Sequence, residues 1–278
     1  MRIFLARLFR LLFKLSFFRS RHFGFYKKIF KPWGWFDHVA CTVRQDGFTL
    51  RLQIDDWIQH KMYFLGGYEE PELQAVKKLL KEGDVFIDAG ANIGLFSLYA
   101  SRWVGKSGMV ISFEPLSVNY SSLTNHIQLN NLTNIKPEQL ALGNKNGLVA
   151  IVFDPDEKNR GMASTAQTGK GLKEKIRMVT LDAYLQGKNF NRIDFIKIDI
   201  EGQEYAALTG MYNTLKKYKP ALLIEVLEDK DIAGNEQNIH QYLADLGYKK
   251  YYIDDQGNIS ETEENPQRRN FLFSAVNF

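Results

Sequence analysis

One run of ten residues, Val85-Phe86-Ile87-Asp88-Ala89-Gly90-Ala91-Asn92-Ile93-Gly94, limits the folds open to this 278-residue chain more than any other. Its first half is almost continuously apolar, the pattern of a strand buried on both faces. Gly90 and Gly94 then permit a tight turn and close approach of a ligand, and the apolar periodicity that follows is helical. A strand ending in a glycine turn and feeding a helix opens a parallel βαβ unit, and such a turn holds a polar ligand at the strand's C-terminal end.

The rest of the chain repeats the alternation. Strand-like runs at residues 85–89, 110–114, 135–142, 195–200 and 221–226 are separated by helical stretches at 94–104, 118–130, 201–215 and 238–246. Right-handed crossovers make this a doubly wound, Rossmann-like α/β sheet covered on both faces. The last runs, Tyr248 to Ile253 and Phe271 to Val276, are expected to pair as an antiparallel hairpin at the sheet edge. A polar insertion, residues 154–175, has the length of a lid, a binding loop or a disordered segment.

Composition sets outer limits. Apolar residues make up 45% and charged residues 24% of the chain, which excludes collagen-like and polytopic membrane architectures. The single cysteine, Cys41, excludes an intramolecular disulfide framework and points to a reduced compartment, so a cytoplasmic location is expected. The formal charge of +4 conceals an asymmetry: residues 1–36 hold nine Lys or Arg and no Asp or Glu, leaving 27 basic against 32 acidic side chains in the remainder.

Residues 1–31 interleave Arg7, Arg10, Lys14 and Arg21 with Phe and Leu too finely for a membrane span or a signal-peptide core. They read as a basic amphipathic helix. An anionic membrane surface, holding the protein peripherally, is one partner for such a helix; the folded body or a second subunit is another. A nucleic-acid partner is not expected, because no recognised binding module accompanies the basic arm. Three segments follow: the helix at 1–31, an addition at 32–80 packed on the core, and the α/β domain at 81–278.

The spacing D-x-G-x-N-x-G differs from the G-x-G-x-x-G turn that seats a dinucleotide pyrophosphate. Asp88 would repel a pyrophosphate but suits the cationic amino-acid end of S-adenosylmethionine. Twenty-six residues further on, a second strand ends in Phe113-Glu114-Pro115, where the Glu114 carboxylate is placed to accept both ribose hydroxyls. An NAD-linked oxidoreductase is disfavoured by the missing third glycine and by Asp88.

These motifs, with Ala141-Leu142-Gly143, Thr180-Leu181-Asp182 and the run Asp194-Phe195-Ile196-Lys197-Ile198-Asp199-Ile200-Glu201-Gly202-Gln203-Glu204, resemble the FkbM family of S-adenosylmethionine-dependent methyltransferases. Gly67-Tyr68-Glu69 and Leu222-Leu223-Ile224-Glu225 extend the resemblance to about residues 55–276. It implies the class I methyltransferase fold, a sheet of seven strands with the last antiparallel, and O-methylation of a hydroxyl on a glycan, glycolipid or related small molecule. It also implies a cofactor set of Asp88, Gly90, Asn92, Gly94, Glu114, Pro115 and Ala141. Gln203 departs from the family, which often has His there.

An alcohol is a weak nucleophile while protonated, so a base or a metal near the acceptor hydroxyl should help. Lys197 and Asp199 lie two apart on one side of a strand, and Glu201 begins the following turn. Asp199 is expected to act as base or substrate anchor, Glu201 to support it, and Lys197 to fix carboxylate geometry; favourable charge at a helix start is the structural alternative for Glu201 and Glu204. No His-rich metal motif is present, and a metal site is not expected, although Glu225 would complete an acidic wall. A non-catalytic membrane-associated adaptor retaining the fold is the alternative function.

Overall fold

The computed structural model describes residues 1–153, 172–226, 235–262 and 269–276. The basic head is helical in pieces: α1 (Arg2–Leu12), α2 (Ser16–Arg19), α3 (His22–Phe25) and a π-helical turn at Tyr26–Phe30. The breaks follow from packing. Phe13 is fully buried and sets its ring edge-on to Phe25 at 5.6 Å and to Phe64 at 5.7 Å, while Phe9 meets Phe30 at 4.9 Å. One straight helix over 1–31 could not bring Phe9, Phe13, Phe25 and Phe30 together.

The chain continues into β1 (Ala40–Gln45) and β2 (Phe48–Gln53), antiparallel through the two-residue turn Asp46-Gly47. Both turn residues have positive φ, 49° and 83°, as the right-handed twist of a short hairpin requires. Asp56 caps α4 (Trp57–Leu65) by accepting from the Gln59 backbone N–H at 3.0 Å. Residues 1–69 form one compact unit and the described residues from Glu70 onward form another. The observed division therefore differs from the expected boundaries at 31 and 80: the aromatic packing gives residues 1–31 and 32–69 a common core, and the helix at 70–79 belongs to the second unit.

The second unit begins with α5 (Glu70–Leu79) and winds through β3 (Val85–Ala89), α6 (Leu95–Val104), β4 (Met109–Phe113), α7 (Ser117–Leu129) and β5 (Ile135–Glu138). A small sheet follows, of β6 (Ala141–Leu142), β7 (Gly147–Phe153) and β8 (Leu172–Val179) in the order β6-β8-β7. The lid reading of the polar insertion falls on residues 154–171, outside the described residues; 172–175 are strand. The chain then forms α8 (Leu181–Leu185), β9 (Phe195–Ile198), α9 (Glu204–Thr209), α10 (Tyr212–Tyr218), β10 (Ala221–Glu225), α11 (Asn235–Asp245), β11 (Lys249–Ile253), β12 (Ile259–Ser260) and β13 (Asn270–Ser274).

The main sheet runs β12-β11-β13-β10-β9-β3-β4-β5. Five strands from β5 to β10 are parallel, and β13 is antiparallel to both β10 and β11. This is the expected doubly wound sheet of seven strands with the last antiparallel, plus the two-residue β12 at one edge. The expected β11–β13 pairing is present, but β13 lies inside the sheet. Phe271, Leu272 and Phe273 are all buried, and a strand apolar on both faces needs neighbours on both sides. Ile87, Ile111, Ile196 and Ile224 build the core with Leu208, Leu215 and Leu243 of the covering helices.

Chain order reverses between β3 and β9, so the crevice of this sheet opens at their C-terminal ends. At the opposite edge Arg192 pins the same strands, reaching Asp84 at 2.6 Å and Asp194 at 2.7 Å, while Asp194 accepts from the Val85 N–H at 2.8 Å. No helix among the described residues is long and apolar enough to cross a membrane.

Phe13→Ala is expected to destabilise the first unit by about 3–5 kcal/mol, whereas Phe4→Ala, at an exposed position, should change it by no more than about 0.5 kcal/mol. Denaturant unfolding followed by tryptophan fluorescence checks this, because Trp33, Trp35 and Trp57 all lie in that unit.

Candidate functional site

Three side chains stand level across the switch point. Asp88 on β3 is in register with Ser112 on β4 and with Lys197 on β9. Ser97, in the first turn of α6, donates to Asp88 Oδ2 at 2.6 Å and lies 2.7 Å from the Ser112 hydroxyl. Asp88 is closed to solvent, and its Oδ1 has no hydrogen-bond partner. Burial pushes its carboxyl up, opposed by the Lys197 cation and the Ser97 hydroxyl. Ser97 and Ser112 were not legible as site residues; the available signal was a small polar residue three places beyond Gly94 in an otherwise apolar first turn of α6.

The glycine turn is shaped by the chain itself. Gly90, at φ 82°, lies so close to β9 that an added Cβ would sit 1.8 Å from the Asp199 carbonyl oxygen. The close approach expected of a ligand is thus made by backbone. Gly94, at φ 95°, faces Leu123 of α7, 2.6 Å from where its Cβ would stand. The buried His126 donates from Nδ1 to the Ile93 carbonyl at 2.8 Å, since a carbonyl can only accept, and so holds the turn against α7.

Glu114 ties the ends of β3 and β4 together. Oε2 accepts from the Asn92 N–H at 2.8 Å, and Oε1 from the Leu116 N–H at 3.0 Å and the Asn119 amide at 3.4 Å. Asn92 has φ 50°, a left-handed conformation that this hydrogen bond stabilises. Burial pushes the Glu114 carboxyl up to about 7 against the pull of these donors. Pro115 follows, half-buried. Ala141 lies on β6, paired with Met178 of β8, and packs against Leu116, Ile151 and Ile176. It therefore sits in the small sheet and not on a main-sheet strand.

A second group gathers just past β9. Lys197 is almost wholly buried, with Nζ 2.9 Å from Asp199 Oδ2 and 4.8 Å from the centre of the Phe96 ring. Burial pushes the Asp199 carboxyl up, but Lys197 and a side-chain hydrogen bond with Glu225 outweigh it and hold the group below the usual carboxylate range. Glu201 adopts φ 52° and is pushed up to about 7 by burial, then by Asp199 and Glu204. Glu204 accepts from the Gly202 N–H at 2.9 Å and the Ile200 N–H at 3.3 Å, which fixes the loop carrying Glu201.

The structure thus brings Asp88, Lys197, Asp199, Glu201 and Gly90 to the ends of two neighbouring strands, with Asn92 and Glu114 beside them and Ala141 apart. Among the described residues no group of three or more His, Cys, Asp or Glu side chains is arranged to hold a metal ion. A cleft of about 790 Å³ lies elsewhere, lined by Glu138, Arg177, Tyr184 and Lys188 among others and by none of the expected site residues.

The sequence pattern of the methyltransferase FkbM domain matches residues 88–250. Methyltransferase 1 of Beauveria bassiana (strain ARSEF 2860) is 28% identical over 143 residues, which cover 45% of this chain and 57% of that protein. Methyltransferase sdnD of Sordaria araneosa is 28% identical over 198 residues, covering 61% of this chain and 75% of that one. A crystal structure of methyltransferase FkbM from Methylobacillus flagellatus KT aligns with a TM-score of 0.47 at 18% identity, over 78% of this chain and 52% of its own. The chain thus spans little more than half the length of the Beauveria protein and of the Methylobacillus chain.

A carboxyl whose pKa rises on folding stabilises the folded state fully below its unfolded pKa, and that contribution is lost as pH rises through the folded value. For Glu201 the window runs from 4.5 to about 7. Glu201→Gln should therefore leave Tm nearly unchanged at pH 4 and raise it at pH 8, where the native carboxylate faces Asp199 and Glu204. Thermal unfolding at the two pH values decides it; a lower Tm at pH 8 would contradict the assigned environment.

Proposed function

The chain belongs to the FkbM methyltransferase family, whose cofactor is S-adenosylmethionine, and from that premise we propose that it is an O-methyltransferase. Its acceptor is a hydroxyl of a glycan, glycolipid or related metabolite. The observation that carries the reading is the carboxylate group past β9, in which Lys197 and Glu225 clamp Asp199 while Glu201 sits near pH neutrality beside it.

The residues beside Gly90 suit the cofactor by their donor chemistry. Asp88 has a buried oxygen without a partner, and Glu114 is a carboxylate with acceptor lone pairs beyond its three donors; both complement a ligand rich in N–H, O–H and positive charge. Glu114, Asn92 and the glycine turn would hold its ribose and amino-acid ends. Asp88, enclosed as it is, contributes through its field. Bound there, S-adenosylmethionine supplies an electrophilic methyl group on a sulfonium.

The chain's own task is to position and deprotonate the acceptor. Asp199, ionised across the neutral range, accepts a hydrogen bond from the acceptor hydroxyl and orients its oxygen. Glu201 takes the hydroxyl proton as the new C–O bond forms, since a base works best with a pKa near the operating pH. Proton transfer to Glu201 leaves a neutral carboxylic acid, which relieves its repulsion with Asp199 and Glu204. Lys197 keeps Asp199 from rotating away.

Methyl transfer from labelled cofactor into fractionated polysaccharide and lipid extracts tests the reading. Native activity should rise with pH through about 7, and Glu201→Gln should lower kcat by about 10²–10⁴-fold and abolish that rise without altering cofactor affinity. Asp199→Asn should raise the acceptor KM as well as lower kcat. A Glu201→Gln variant with native rate and pH profile would overturn the proton-acceptor role.

A further inference from the structure

The first unit carries more apolar surface than its core consumes. Helix α1 has two apolar stripes. Ala6 and Phe13 are buried, and Phe9 packs on Phe30 and Trp35. On the opposite side Phe4, Leu8 and Leu11 follow one another at intervals of four and three residues and remain 69%, 43% and 60% exposed. Scattered exposed leucines need no explanation, but a stripe of large side chains on one helix face does. Phe17, Phe23 and Trp33 add exposed aromatic rings to the same segment.

Charge selects what covers this stripe. Residues 1–36 carry nine cationic side chains and no carboxylate. Some are engaged locally: Arg10 stacks over Tyr63 at 5.2 Å, Arg19 donates to the Leu65 carbonyl at 2.8 Å, and Arg21 lies over Phe17 at 3.8 Å. Arg7, Lys14, Lys27 and Lys28 are exposed. An isologous dimer through this face would set two such cationic surfaces against each other, which like-charge repulsion opposes. Nucleic acid would pair with the cations but gives nothing to Phe4, Leu8 and Leu11. A bilayer with anionic head groups satisfies both, and no described helix is long and apolar enough to go through it.

We propose that the exposed face of α1, formed by Phe4, Leu8 and Leu11 with the cations beside it, docks the protein on anionic lipid bilayers. The apolar side chains enter the boundary between head groups and acyl chains while Arg7 and Lys14 meet lipid phosphates and carboxylates. The inference is independent of the catalytic reading, since it uses no residue of the carboxylate site.

Co-sedimentation of the full chain with vesicles of equimolar phosphatidylcholine and phosphatidylserine, against phosphatidylcholine alone, tests it. The native chain should partition onto the anionic vesicles at least about tenfold more strongly, and raised salt should reduce the difference. The triple variant Phe4→Ser, Leu8→Ser, Leu11→Ser should lose about tenfold or more of that binding while keeping the native thermal transition. The charge reversal Lys14→Glu, Lys27→Glu, Lys28→Glu should do the same and serves if the serine variant fails to fold. Equal binding to both vesicle types, binding to neither, or native binding by the folded variants would overturn the proposal. So would a native dimer in solution that the serine variant converts to monomer, which would make a second copy the occupant. Cofactor titration of the same variants should be unchanged, which separates this outcome from any failure of the catalytic reading.

Discussion

The site depends on one contact between backbones. The α-carbon of Gly90 rests against the carbonyl of Asp199, with no room for even a methyl group between them. Asp199 N–H in turn donates to the Ala89 carbonyl at 3.0 Å, so β3 and β9 remain locked to their last residues. Because chain order reverses at this pair, two loops distant in sequence leave the sheet side by side. The glycine turn that suits a cofactor and the acidic loop that suits an acceptor are adjacent because residue 90 has no side chain.

Charge balance is the second constraint. Asp88 is closed to solvent on β3 and Asp199 is partly buried just past β9, and the buried Lys197 serves both, through register with the first and a 2.9 Å ion pair with the second. Removing a buried cation of this kind costs about 3–5 kcal/mol because it leaves carboxylates uncompensated. The same arrangement drives the neighbouring carboxyls apart in acidity. Asp199 is held below the usual carboxylate range, and Glu201, with a weaker claim on Lys197, is pushed up to about 7. Environments that drive neighbouring carboxyls apart in pKa are how a site assigns its acid and base.

Much of this was legible in the sequence, for physical reasons that also explain what was not. Buried parallel strands must be apolar on both faces, so β3, β4, β9 and β10 stand out, and φ-restricted turns must be glycine, so the run from Asp88 to Gly94 marks the switch point. Local spacing put Lys197 and Asp199 on one side of a strand. Contacts made across strands leave no local signal. Nothing near Ser97 or Ser112 in sequence announces that they meet at Asp88, and nothing near Gly90 announces the carbonyl of Asp199. The basic head misled in a related way: its apolar residues read as one surface, but Phe9, Phe13, Phe25 and Phe30 form an internal cluster with Phe64 and leave only a stripe outside.

The central claim is that the turn at Gly90, held against Asp199, forms a site for S-adenosylmethionine. Calorimetric titration of the full chain with the demethylated product S-adenosylhomocysteine tests it most directly. The native chain should bind one equivalent, and Gly90→Ala, whose Cβ would collide with the Asp199 carbonyl, should lose that binding while the first unit keeps its tryptophan-detected unfolding transition. No detectable binding by the native chain, or undiminished binding by Gly90→Ala, would contradict the account.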